Sequence, residues 1–196
     1  MKKLIKNNKI FILVFIVSGF FTPQALSKVN YADNSGFSIT NVSESAASVE
    51  VVYDNFINHI DSWWPKDHTW WKGTLKIDEY AGGCFCEITQ TSSAAHMQIS
   101  FIHPQKKVVM TGGLGPLQEM GIYGALTWQF TSLNEEDSNT DSSNKGTRVT
   151  LTYHASGTIQ FNGKKATNED AVKLVHAVDK VQAQQLSSLT SFSNEK

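Results

Sequence analysis

An α+β fold is expected from this chain on three observations: a helical apolar stripe near the start, short alternating segments through the middle, and a long helical stripe at the end. "GFSIT" (36–40) alternates Phe37 and Ile39 with polar neighbours and opens as a strand. From Ser45 to Ile60, Val49, Val52, Tyr53, Phe56 and Ile60 recur at three- and four-residue spacing, which predicts a helix that Pro65 ends. Six alternating segments follow: "TLKID", "CFCEI", "HMQISFI", "KVVMT", "GALTWQF" and "TRVTLTYHASGTI". Turn-forming clusters separate them, and the polar stretch Asn134–Gly146 reads as a hairpin loop. Asn168 then caps a second helix, expected over Glu169–Ser191, with Val172, Val175, Val178, Val181, Leu186 and Leu189 on one face. An antiparallel sheet with one buried face and a long helix across it leaves a cavity between them if the sheet curves.

The N-terminus carries a different signal. "MKKLIKNNK" is a basic leader, and "IFILVFIVSGFF" (10–21) is an apolar run too short for a comfortable membrane span of about 20 residues. Ala25 and Ser27 supply small residues after it, so residues 1–27 read as a signal peptide cleaved after Ser27, with a retained anchor as the alternative. Periplasmic or secreted localisation is the expectation, with no integral membrane span after processing. Removing the four leader lysines takes the formal charge from −1 to −5, and Arg148 is the only arginine. A mildly acidic chain with no basic patch excludes a nucleic-acid partner. Residues 28–34 are then a short N-terminal segment, 35–192 one domain, and 193–196 a tail.

The element order is joined by "WW" and Pro65 after the first helix, "GGCFCE" at 82–87, "FIHP" at 101–104 and "GTRVTLTY" at 146–153. Together they resemble the SRPBCC superfamily, the START or Bet v 1-like helix-grip proteins, in its AHSA-type or polyketide-cyclase-like form. The resemblance covers residues 35–192. It implies a curved seven-stranded antiparallel sheet wrapped around the C-terminal helix, with an apolar pocket for a small hydrophobic or aromatic ligand. It implies no particular reaction, because function resides in the site and not in the fold.

The segment "DSWWPKDHTWWKG" (61–73) concentrates Trp63, Trp64, Trp70 and Trp71 around His68. Such rings either fill core or wall a ligand pocket, and His68 is the titratable group among them. The loop "TGGLGPLQEMGIYG" (111–124) matches neither the dinucleotide fingerprint nor the phosphate-loop spacing, and no cofactor is expected. Gly112, Gly113, Gly115 and Pro116 read instead as shaping a lid, with Leu114, Leu117 and Met120 as apolar contacts and Glu119 as its only acid. The expected ligand-binding set is Trp63, Trp64, His68, Trp70, Cys84, Cys86, Met97, Phe101, Trp128 and Tyr153. His68 and Glu119 are the catalytic candidates for a cyclase-like or proton-transfer reaction.

Cys84 and Cys86 are the only cysteines. Export favours a disulfide, but residues i and i+2 on a flat strand sit about 6.6 Å apart with parallel side chains. A bridge in a bulge after Gly82–Gly83 stays open, as does a metal or redox site of Cys84, Cys86 and His68. The favoured reading is two reduced thiols on the inner face, acting as small hydrophobes. Alternation sends His96 away from the thiols and toward Glu87, and His154 to the Thr150 and Thr152 face.

Overall fold

Residues 26–133 and 146–195 are described by a computed structural model. The chain runs β1 (Leu26–Asp33), β2 (Gly36–Ser45), α1 (Val49–Asn58), α2 (Ile60–Trp63), β3 (Thr74–Ile77), β4 (Cys84–Ile88), β5 (Ser93–His103) and β6 (Lys107–Gly112). It continues with β7 (Tyr123–Ser132), β8 (Thr147–Ser156), the small hairpin β9 (Gln160–Phe161) and β10 (Lys164–Lys165), and α3 (Asn168–Asn194). β1 to β8 form one antiparallel sheet in the order β1-β2-β8-β7-β6-β5-β4-β3. α3 lies along β1 and β2, and α1 and α2 pack between α3 and the strands at the far edge. The α+β, helix-on-sheet architecture expected from the sequence is therefore present, with eight strands and not seven. The additional strand is β1, whose residues the sequence had divided between the leader and a short N-terminal segment. Residues 1–25 of the expected signal peptide, and 134–145 of the expected polar loop, lie outside the described residues. Among the described residues no helix is long and apolar enough to cross a membrane.

Alternation sorts the sheet into two faces. Leu75 and Ile77, Phe85 and Glu87, Val108 and Met110, Leu126, Trp128 and Phe130, and Val149, Leu151 and Tyr153 all turn inward and are buried. Two bulges in β5 change what a strict alternation would place there. Phe85 pairs with Met97 but Cys86 with Ala95, so His96 is an extra residue and both His96 and Met97 turn inward. Ile99 pairs with Met110 but Phe101 with Val109, so Ser100 is extra and the parity resets. Phe101 consequently points outward, 46% exposed, which corrects its expected place in the pocket. His154 is exposed on the outer face of β8, as its alternation required.

The cysteines need a larger correction. In β4 the inward positions belong to Phe85 and Glu87, leaving Cys84 and Cys86 partly exposed on the opposite face. The Phe85 ring packs against Trp64 at 4.9 Å and His96 at 5.0 Å, far more contact than a thiol would make there. Cys84 and Cys86 are joined in a disulfide with their Cα atoms 5.4 Å apart. A flat strand would hold them farther apart, at about 6.6 Å. They are neither buried thiols nor, while bridged, thiolate ligands, and the proposed Cys84–Cys86–His68 metal site is not formed. Among the described residues no cluster of three or more His, Cys, Asp or Glu is arranged to hold a metal ion.

α1 and α3 begin on hydroxyl caps. Ser48 accepts from the Val51 amide, and Thr167, one residue before the expected Asn168, accepts from the Asp170 amide. α3 buries Val175, Asp179, Gln182, Leu186 and Leu189 along its inner line. Val172, Val178 and Val181, expected in that stripe, sit half-buried beside it.

The bridged cysteines give a direct chemical expectation. Thiol titration of the unfolded chain should find no free thiol before reduction and two after it, with peptide mapping placing the bridge within one chain. Two free thiols without reductant would restore the sequence-based reading.

Candidate functional site

The organising group is the Glu87 carboxylate. It is fully buried, yet three backbone amides of the aromatic segment converge on it: Trp70 donates to Oε2 at 2.7 Å, and Trp71 and Gly73 donate to Oε1 at 2.8 Å each. Lys72 reaches a positive φ of 56° between two of these donors, which folds the chain back so that both address one oxygen. His96 completes the arrangement with Nε2 3.4 Å from Glu87 Oε2, in contact with the carboxylate but without hydrogen-bond geometry. Burial alone would raise the Glu87 pKa. The amides of Gly73, Trp70 and Trp71, with His96 behind them, more than reverse that and hold the carboxyl below its usual range. Burial pushes the His96 imidazole below its ordinary value against the opposing pull of Glu87, so the ring is neutral at pH 7.

A second carboxylate fixes the start of the same segment. Asp61 accepts from the Leu75 amide at 2.6 Å and from the Lys66 ammonium, which also donates to the Gly73 carbonyl at 2.6 Å. Although burial opposes it, these partners hold Asp61 below the usual carboxylate range. The segment between these anchors carries Trp64, His68 and Trp70.

These side chains form one wall of a cavity of about 370 Å3. The second wall is α3, through Leu174, Ala177, Val178, Val181, Gln182 and Gln185. The third is the lid between β6 and β7, through Leu114 to Leu117 and Met120, and His96 closes the floor from β5. Polar contacts tie the walls together. His68 Nε2 lies 3.1 Å from Gln184 Oε1 on α3. Gln118 of the lid donates to the Ala95 and His96 carbonyls at 2.6 and 3.0 Å. The Leu114 amide donates to the Tyr153 hydroxyl at 3.3 Å, and burial pushes that phenol up to about 12, so it stays protonated. The lid depends on Gly113, where a Cβ would meet the Ile122 carbonyl oxygen at 2.6 Å.

Most of the cavity surface is apolar, with no Lys or Arg among its described lining residues. Two buried polar groups stand out against it. Both amide atoms of Gln182 lack a hydrogen-bond partner although the residue is fully buried, and His96 Nε2 is likewise unpartnered. Buried polar groups left so are uncommon and ask for an explanation.

Of the residues expected at the site, the structure brings together Trp64, His68 and Trp70. Trp63, Met97, Trp128 and Tyr153 are buried in the core and do not line the cavity, Trp63 donating its indole N–H to the Asn55 carbonyl at 2.9 Å. Cys84, Cys86 and Phe101 face the other side of the sheet. Glu119 is exposed on the lid and outside the cavity, so it is not placed as a catalytic carboxylate. The residues that sequence reasoning missed are Glu87 and His96 as inward groups, and Gln182 and Gln185. The last two left a trace, since they interrupt the apolar line of α3 at three- and four-residue spacing.

No protein-family model matches the sequence, and no curated protein matches it. Solved structures do. A conserved protein of unknown function from Enterococcus faecalis aligns with a TM-score of 0.51 at 11% identity, over 84% of this chain and 74% of its own. An uncharacterized protein from Rhizobium leguminosarum aligns at 0.50 and 11% identity, over 88% of this chain and 99% of its own. Ara h 8.0201 aligns at 0.47 and 11% identity, over 81% and 98%. At these identities the likeness is one of fold alone, and the third, with the lowest score, adds nothing to it.

The Glu87 arrangement predicts a definite pH response. Its lowered folded-state pKa means its stabilisation is complete above its ordinary 4.5 and is lost as pH falls through the lowered value. His96, also lowered, favours the fold fully above its ordinary 6.5 and less as pH falls below that. Denaturant unfolding should therefore show a plateau of stability above pH 6.5 and a decline in two stages below it. Glu87→Gln should cost roughly 2–4 kcal/mol at pH 7, because an amide nitrogen then faces backbone donors. A loss under about 0.5 kcal/mol would mean the carboxylate is not holding the segment.

Proposed function

We propose that this chain is an exported small-molecule-binding protein that holds an apolar or aromatic ligand in the cavity between α3, the lid and the aromatic segment. The observation that carries the reading is the cavity itself: about 370 Å3, walled by rings and aliphatic side chains, with unpartnered polar groups buried at its edge. That combination is what small-molecule sites generally offer. Trp64 and Trp70 supply flat walls, and Met120 an adaptable one. The export part of the proposal rests on the basic leader and apolar run of residues 1–21.

Proton transfer on a bound ring is a second reading, favoured by the pairing of His96 with a buried carboxylate at the cavity floor. It moves the candidate proton-transfer group from His68 or Glu119 to His96, since His68 lies against Gln184 and Glu119 is outside the cavity. In that reading His96→Gln removes turnover of a bound compound and leaves its binding intact.

Two measurements test the proposal. Native mass spectrometry and tryptophan fluorescence across lipids, sterols and aromatic polyketides should reveal a one-to-one complex. Ala177→Trp, which fills the cavity from an exposed helix position, should weaken that complex at least about tenfold, the equivalent of 1.4 kcal/mol. Absence of any complex, or full binding by the filled variant, contradicts the reading. Intact-mass analysis of the expressed protein should find a chain beginning near Lys28 outside the cytoplasm. A chain still starting at Met1 and fractionating with membranes would replace export with anchoring.

A further inference from the structure

Gln182 stands on the inner line of α3, between Asp179 and Leu186, where the helix faces the cavity. Asp179 has a partner within the domain, accepting from the Asn41 side-chain amide nitrogen at 3.1 Å. Gln182 has none for its carbonyl or its amino group, although its exposure is 0%. A primary amide in that state presents one acceptor and one donor side by side along one edge, with its second N–H directed away from it. Left unpaired, such a group costs stability, so its natural complement is a ligand that returns a donor and an acceptor side by side.

The charges around the cavity narrow the ligand further. Among the described residues no Lys or Arg lines it, Asp67 is the one acidic lining residue, and the Glu87 carboxylate stands directly behind His96. An anionic head group would be desolvated there without a cation to meet it. The aromatic walls of Trp64 and Trp70 favour a flat body over an acyl chain.

We propose that the cavity selects an uncharged ring compound bearing a carboxamide or lactam edge, which pairs with the Gln182 side-chain amide while its ring lies among the tryptophans. This rests on the cavity being the binding site and specifies the chemical class it takes. Fatty acids and aromatic carboxylates are excluded by the same arrangement.

Equilibrium dialysis of the full chain with three probes of one ring system, naphthalene, 2-naphthamide and 2-naphthoate, separates the possibilities. The amide should bind about tenfold or more tightly than either of the others, one well-formed hydrogen-bonded pair being worth about that factor. Gln182→Leu, and Gln182→Met as a second apolar variant of similar length, should bring 2-naphthamide to the level of naphthalene while leaving naphthalene itself within about twofold. Both variants should melt no lower than the parent chain, since they remove an unpaired buried amide. Equal affinity for all three probes, a preference for 2-naphthoate, or an amide preference that survives both substitutions would overturn the assignment to Gln182 while leaving an apolar site in place. Failure of every probe to bind would remove the binding reading together with it.

Discussion

A carboxylate with no exposure to water depends on its partners, and in this protein the dependence runs both ways. Glu87 without its amide donors would be a bare buried charge costing several kcal/mol. The segment from Trp70 to Gly73, without Glu87, would have three inward-pointing amides and no regular secondary structure to satisfy them. Each resolves the other's problem, and the outcome fixes where two of the cavity's walls stand. Trp70 is placed by its own backbone bond to the carboxylate, and His96 is drawn to the same carboxylate from the opposite strand.

The other wall is held by a different means. The inner face of β2 changes from Phe37 and Ile39 to Asn41, Ser43 and Ser45, and these meet polar groups on α3 one for one. Asn41 donates to Asp179, Ser43 lies 2.9 Å from Thr190, and Ser45 donates to Asn194 at 2.7 Å. Directional bonds fix the helix in one register along the strand, where apolar packing alone tolerates sliding. The register leaves Gln182 buried at the cavity and the half-buried Val178 and Val181 along its rim. A ladder of rings carries the packing from the core to the floor: Trp128 against Trp63, Trp63 against Trp64, Trp64 against Phe85, and Phe85 against His96.

Much of this was legible in the residues. Period-two segments placed seven of the eight main-sheet strands, and the three- and four-residue stripes placed the first and last helices. The neighbouring of His96 and Glu87 also followed from alternation, although on the wrong face. What alternation does not encode is a bulge. One extra residue at His96 turns an imidazole inward, and another at Ser100 turns Phe101 outward, and neither position carries a glycine to mark it. The inversion of β4 has a similar cause. Two cysteines look more apolar than a glutamate, but Phe85 decides the face, and Glu87 follows because the loop supplies its partners. β1 was missed because the sequence reading assigned Leu26 and Ser27 to an expected leader, a stretch whose composition suits processing as well as pairing.

The account turns on the claim that the aromatic segment is held by Glu87 and is not merely resting on the sheet. Amide hydrogen exchange of Trp70, Trp71 and Gly73, followed by NMR in the intact protein, addresses it without any substitution. These three amides should exchange as slowly as those of the central strands, opening only with global unfolding, although they lie outside any helix or strand. Exchange at the rate of ordinary surface-loop amides would contradict the account.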